Sequence, residues 1–204
     1  MTNSTDRMVW IDCEMTGLSL KTDQLVEIAA IVTDSELNEL DSGISVVVRP
    51  DDLSALDTMD PFVVKMHTDS GLLPLISSGL ALSEAGAAVL GYIKNHVPEP
   101  RKAPLAGSSV YVDRGFLARD LPEIDEWLHY RLVDVSSFKE VIRRWYPRVY
   151  FNAPAKTGNH RALADIRESI AELRFYRAAV MPEQGPDTES VKQLSTAFVV
   201  EHNL

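Results

Sequence analysis

The sequence predicts a layered α/β domain, and three observations carry that expectation. The first 50 residues hold three apolar, β-branched segments separated by turns. The later chain alternates helical stretches with short apolar runs. Residues 161–179 carry apolar side chains at three- and four-residue steps, the period of a helix packed on one face.

Val9 to Cys13, Leu25 to Thr33 and Ile44 to Val48 read as strands. Thr16-Gly17 and Lys21-Thr22-Asp23 separate the first two, which predicts an antiparallel hairpin with a long connection. A helix spans Asp60 to Met66, with Pro61 at its first position. Ser83 is expected to cap a helix running to Val97, with Pro98 and Pro100 as stop signals. Ala103 to Ala106 reads as a short strand ending at Gly107, followed by helical stretches over Arg114–Leu121 and Pro122–His129. A short strand at Leu132-Val133 leads into a helix from Ser136 to Trp145. Tyr146 to Asn159, holding Pro147, Pro154 and Gly158, reads as a loop. The strongest helix is Arg161 to Ala179, with Ile166, Ile170 and Leu173 on one stripe. The expected organisation is a flexible start over residues 1–7, one domain over 8–180, and a mobile tail over 181–204 with at most a weak amphipathic segment.

No apolar run approaches the roughly 20 residues of a membrane span, and the polar start lacks the apolar core of a signal peptide. The lone Cys13 has no disulfide partner within the chain and fits a reducing compartment, so a cytoplasmic location is expected. A net charge of −10 argues against long nucleic-acid duplexes, whose binding needs many Lys and Arg contacts. It still permits a substrate with one or two phosphates if cations neutralise the site locally. Ten of the twenty Lys and Arg residues fall between Arg131 and Arg177, against five acids. A solvated helical surface is the plain account of most of them.

The chemistry resides in three places. Asp12 and Glu14 sit two apart at the end of an apolar strand, so they share a face. Carboxylates so placed repel and are costly to desolvate, and a divalent cation removes both penalties. The plainer alternative is a solvated pair past the strand end. Asp113 follows an apolar stretch and opens a helix, where a cap is its ordinary role. His160 and Asp165 are five residues apart, about 140° around an ideal helix. They converge only if His160 lies on the loop after Gly158 and Asp165 one turn inside the helix.

Together these give the order Asp-x-Glu, Asp, His-x4-Asp, with about 100 and then about 50 residues between elements. That order resembles the histidine branch of the DEDD 3′→5′ exonuclease superfamily. Within it the chain resembles the oligoribonucleases, through Trp10-Ile11-Asp12-Cys13-Glu14-Met15-Thr16-Gly17-Leu18, Met66-His67-Thr68-Asp69-Ser70-Gly71-Leu72, His129-Tyr130-Arg131-Leu132-Val133-Asp134-Val135-Ser136 and Asp165-Ile166-Arg167-Glu168-Ser169-Ile170-Ala171-Glu172-Leu173. The likeness covers roughly residues 8–178. It implies an RNase H-like exonuclease fold, a mixed sheet flanked by helices. It implies hydrolysis of very short RNA, especially dinucleotides, to 5′-mononucleotides with two divalent cations, Mg²⁺ or Mn²⁺. Asp12 would bridge the cations, Glu14 and Asp165 complete one site, and Asp113 support the second. His160 would take the proton of the attacking water. Leu18 would wedge between bases, Phe62 stack on one, and His67 contact sugar or phosphate. Ser109, Arg131 and Ser136 would close on the 5′-phosphate, with Tyr130 from the second subunit of a homodimer.

Leu18 and Phe62 as core residues, and Arg131 as a surface ion pair, are the competing accounts of those positions. Gly107-Ser108-Ser109 stands where Gly-Asn-Ser is usual, and Val112 replaces a polar residue before Asp113. A DNA-directed proofreading or repair exonuclease would share the cation site. A catalytically silent nucleic-acid-binding module and a protein-interaction scaffold are further alternatives.

Overall fold

The computed structural model describes residues 6–155 and 160–202, so the expectations for residues 1–5, Gly158 and Asn159 lie outside the described residues. β1 (Met8–Met15) and β2 (Leu25–Thr33) form the expected antiparallel hairpin, and β3 (Ile44–Arg49) pairs antiparallel with β2. All nine residues of β2 are buried, as a strand covered on both faces requires.

Between β3 and the next strand lie α1 (Ser54–Asp57), α2 (Pro61–Asp69) and α3 (Leu73–Ile76). Asp60 caps α2 by accepting from Phe62 N at 2.8 Å. β4 (Leu80–Ala81) adds parallel to β3. α4 (Leu82–His96) starts one residue before Ser83, which therefore does not cap it. Ala81 flanks the helix instead, its N–H donating to Glu84 Oε2 at 3.2 Å.

β5 (Pro104–Gly107) lies parallel to β1, followed by α5 (Tyr111–Asp120) and α6 (Pro122–Trp127). β6 (His129–Asp134) lies parallel to β5 and completes the mixed six-stranded order β4-β3-β2-β1-β5-β6. α7 (Val135–Trp145) is as expected, but the predicted loop after it contains α8 (Pro147–Phe151). α9 (Ala162–Val180) is the long helix, and the expected tail holds α10 (Thr188–His202), none of whose residues is buried.

The alternation of β1 divides the interior. Val9, Ile11 and Cys13 pack with Val89 and Ile93 of α4, Phe116 and Leu117 of α5, and Ile124 of α6. Trp10, Ala29, Ile31 and Ala106 pack with Ile142 of α7 and with Ile166, Ile170, Leu173 and Tyr176 of α9. The Trp10 indole is fully buried and donates to Thr33 Oγ1 at 3.0 Å, so its polar edge is satisfied. Among the described residues no helix is long and apolar enough to cross a membrane.

Candidate active site

Asp12 and Glu14 follow Trp10 at two-residue steps, so they point to the face that carries α9. Asp165 lies in the first turn of α9. Oxygens of Asp12, Glu14 and Asp165 all lie within 4.8 Å of one another. The arrangement fits a divalent cation, because three carboxylates held this closely in a half-buried site repel one another until a proton or a cation relieves them. A donor set of oxygens alone suits a hard cation.

The electrostatics agree. Glu14 is pushed up to about 8, first by burial and then by Asp165, Glu27 and Asp113, with Arg161 opposing. Asp12 is raised well above the usual carboxylate range by burial, then by Asp113, Glu14, Asp165 and Glu27. Asp113 rises to about 7, mainly through burial, although the hydrogen bond from Cys13 N pulls it back.

Asp113 does not cap α5. It is the third residue of the helix and is buried, and its Oδ1 accepts from Cys13 N at 2.9 Å. That bond ties α5 to β1 between Asp12 and Glu14, while leaving Asp113 outside the converging triplet. His160 is exposed and stands with φ 46°, a left-handed conformation uncommon outside glycine but enriched in histidine. It lies just before α9, off the helix, and is not among the residues whose ligand atoms converge with Asp12, Glu14 and Asp165.

Leu18 and Phe62 are 74% and 72% exposed, which overturns their reading as core residues. His67 is fully buried, with Nε2 on Met15 O at 2.9 Å and Nδ1 3.9 Å from Glu14 Oε2. That Nδ1 has no hydrogen-bond partner among the described residues. The Ser109 and Ser136 hydroxyls lie 3.0 Å apart, and Asp134 Oδ1 accepts from both of their backbone N–H groups at 2.9 Å. Ser109 holds φ 53°, a strained value that the Asp134 bond supports. Tyr130 and Arg131 are exposed, with the guanidinium 5.6 Å from the Tyr130 ring. Arg131 makes no ion pair among the described residues, which removes the surface-pair account.

Sequence reasoning missed Glu27, Asp134 and Arg161. Glu27 had a signal, being a charge within an otherwise apolar strand. Asp134 had one as well, as Asp-x-Ser at a helix start.

The exonuclease family profile matches residues 9–173. An oligoribonuclease of Streptomyces avermitilis is 61% identical over 196 residues, 96% of this chain and 98% of that protein. One from Mycobacterium tuberculosis is 55% identical over 188 residues, 91% and 87% of the two chains. Among solved structures, Escherichia coli exonuclease I in complex with a dA16 oligonucleotide matches at TM-score 0.66 and 16% identity. Exonuclease I of Methylocaldum szegediense matches at TM-score 0.62 and 23% identity. These alignments cover 86% and 85% of this chain but only 41% of each exonuclease I, so the likeness concerns the RNase H-like fold.

Proposed function

The chain belongs to the oligoribonucleases of the exonuclease family, which makes it a 3′→5′ exoribonuclease, and we propose that its working substrates are very short single-stranded RNAs, dinucleotides above all. The observation that carries the reading is the convergence of Asp12, Glu14 and Asp165 within 4.8 Å. These three would hold one divalent cation, with Asp12 shared toward a second that Asp113 supports. Mg²⁺ and Mn²⁺ are the ions proposed. Bound there, such ions supply charge neutralisation and polarise the phosphodiester.

The remaining work falls to side chains. His160, exposed at its turn, takes the proton of the attacking water. Leu18 and Phe62 offer apolar surface on which the bases wedge and stack. His67, assigned to the sugar or phosphate by the family resemblance, is fully buried, and its unpartnered Nδ1 faces Glu14 at 3.9 Å, so it would act from behind the carboxylates. Ser109, Ser136 and Arg131 close around a 5′-phosphate, and Tyr130 joins from the second subunit of a homodimer. A cap at the 5′ end leaves longer chains without a path, which is the reason to expect dinucleotide preference. The buried Cys13 thiol is compatible with a cytoplasmic location.

The test is a length profile with Mn²⁺ and end-labelled RNA and DNA of two to ten nucleotides. Turnover is expected to fall steeply beyond two nucleotides of RNA. A preference for long DNA would instead favour the proofreading or repair reading. Arg131→Ala should lower activity on 5′-phosphorylated dinucleotides more than on longer oligomers; equal losses would remove the cap.

A further inference from the structure

Glu27 is fully buried, yet it stands on β2 directly opposite Glu14 of β1. Its partners lie at the start of α9 and on β3. Arg161 Nη2 reaches Glu27 Oε1 at 2.8 Å, and Arg161 Nε reaches Oε1 and Oε2 at 3.2 and 3.1 Å. Ala162 N, the first amide of α9, donates to Oε2 at 3.3 Å, and Ser45 Oγ donates to Oε1 at 2.7 Å.

The local structure explains the need. Arg161 flanks the start of α9 and supplies no side-chain cap of its own. An uncapped helix start leaves amides without partners. The Glu27 carboxylate fills that role from the neighbouring strand, and its charge also suits the positive end of the helix dipole. An ion pair whose carboxylate is buried, here with a guanidinium still about one-third exposed, is seldom the most stabilising choice, because desolvation offsets the attraction, but it does define geometry through a fork of directed bonds.

We propose that Glu27 and Arg161 act as a positioning pair that sets where α9 presents Asp165 and His160 against the carboxylates of β1. His160 and Asp165 lie one residue before and four residues after Arg161, while Glu27 is the cross-strand neighbour of Glu14. The clamp therefore joins both halves of the cation site through a short, rigid path. A displacement of about 1 Å at a reacting group is enough to cost roughly 100-fold in rate.

The inference rests on the cation-site reading, so the experiment carries a control for it. Wild type, Asp12→Asn, Arg161→Lys and the double variant Glu27→Gln/Arg161→Gln are compared by Mn²⁺ calorimetry, dinucleotide kinetics and thermal melting. The double variant leaves no unpaired buried charge and is expected to fold. It should bind Mn²⁺ about tenfold more weakly and lose about 10- to 100-fold in kcat, with KM within about threefold of wild type. Arg161→Lys, which keeps the charge but not the fork, should recover part of both losses. A folded double variant with wild-type Mn²⁺ affinity and kcat overturns the positioning pair. If Asp12→Asn also keeps wild-type Mn²⁺ affinity, the cation site itself is wrong.

Discussion

His160 and Gly17 are the two positions where a single substitution tests the proposed site most directly. His160 is held at φ 46° outside the helix, free of the face constraint that would turn it away from Asp165. His160→Ala is expected to retain Mn²⁺ and substrate binding, while kcat falls by about 10²- to 10⁴-fold. Calorimetry beside single-turnover kinetics checks this, and normal turnover would remove the proton-accepting role. Gly17 precedes the exposed Leu18. A Cβ there would lie 2.5 Å from Asp23 Oδ2, whose carboxylate accepts from Ser19 N at 2.8 Å and from Thr16 Oγ1 at 3.3 Å. Gly17→Ala should displace Asp23, loosen the turn and raise the dinucleotide KM roughly tenfold, with kcat less affected. Steady-state kinetics on both enzymes decides it. The turn was legible from Thr16-Gly17, but the part played by Asp23 was not, because its partners are fixed only once the loop closes.

At the scale of elements, α7 joins stability to the proposed 5′-phosphate contacts. Asp134 caps it through Ser136 N and holds Ser109 N with the same oxygen. Asp134→Ala is expected to cost about 1 kcal/mol in stability, a few degrees of melting temperature. It should also reduce discrimination between dinucleotides with and without a 5′-phosphate. Asp134→Asn, which keeps an acceptor oxygen, should restore most of both; thermal melts and paired-substrate kinetics would reveal a separation of the two effects. The long buried elements were legible because periodicity accumulates over many residues, whereas the 15-residue α10, none of whose residues is buried, was read as a mobile tail because it packs no apolar stripe on the core. α1, α3 and α8, of four or five residues, and the two-residue β4 were not, since one turn or one pair carries no period. Ser83 failed as a cap for a related reason: the helix already begins at Leu82, so local preference yielded to the strand before it.

For the whole molecule, charge is the governing quantity. The basic run from Arg131 to Arg177 is largely committed internally: Lys139 meets Glu172, Arg143 and Arg144 meet Glu140, Arg161 meets Glu27, Arg167 meets Glu39 and Arg177 meets Glu36. It is therefore not a free track for a long polyanion, in keeping with short substrates. The concentrated negative charge also predicts a pH dependence. In the metal-free protein Glu14 titrates near 8 and Asp113 near 7, above their ordinary values of 4.5 and 3.8. The folded state then holds protons that the unfolded chain has released. Their stabilising contribution is fully present below about pH 4 and is lost as pH rises through about 7 to 8. The melting temperature of chelated protein should fall between about pH 5.5 and about pH 8.5, and Mn²⁺ should reverse that fall because it binds only the folded state. A chelated protein with a flat profile across that window would contradict the crowded-carboxylate site.

The family was legible through resemblance: the order of Asp12, Glu14, Asp113, His160 and Asp165 pointed to the wider superfamily, and the stretches around Asp12, His67, Arg131 and Asp165 narrowed it to the oligoribonucleases. The layered α/β class was equally legible, since strand and helix periods are local. Only tertiary structure decided that Asp113 turns to Cys13 N, that Leu18 and Phe62 are exposed, and that Glu27 anchors the start of α9. These outcomes depend on contacts between residues about 100 or more positions apart, or on which surface the fold leaves uncovered, and no local pattern encodes either.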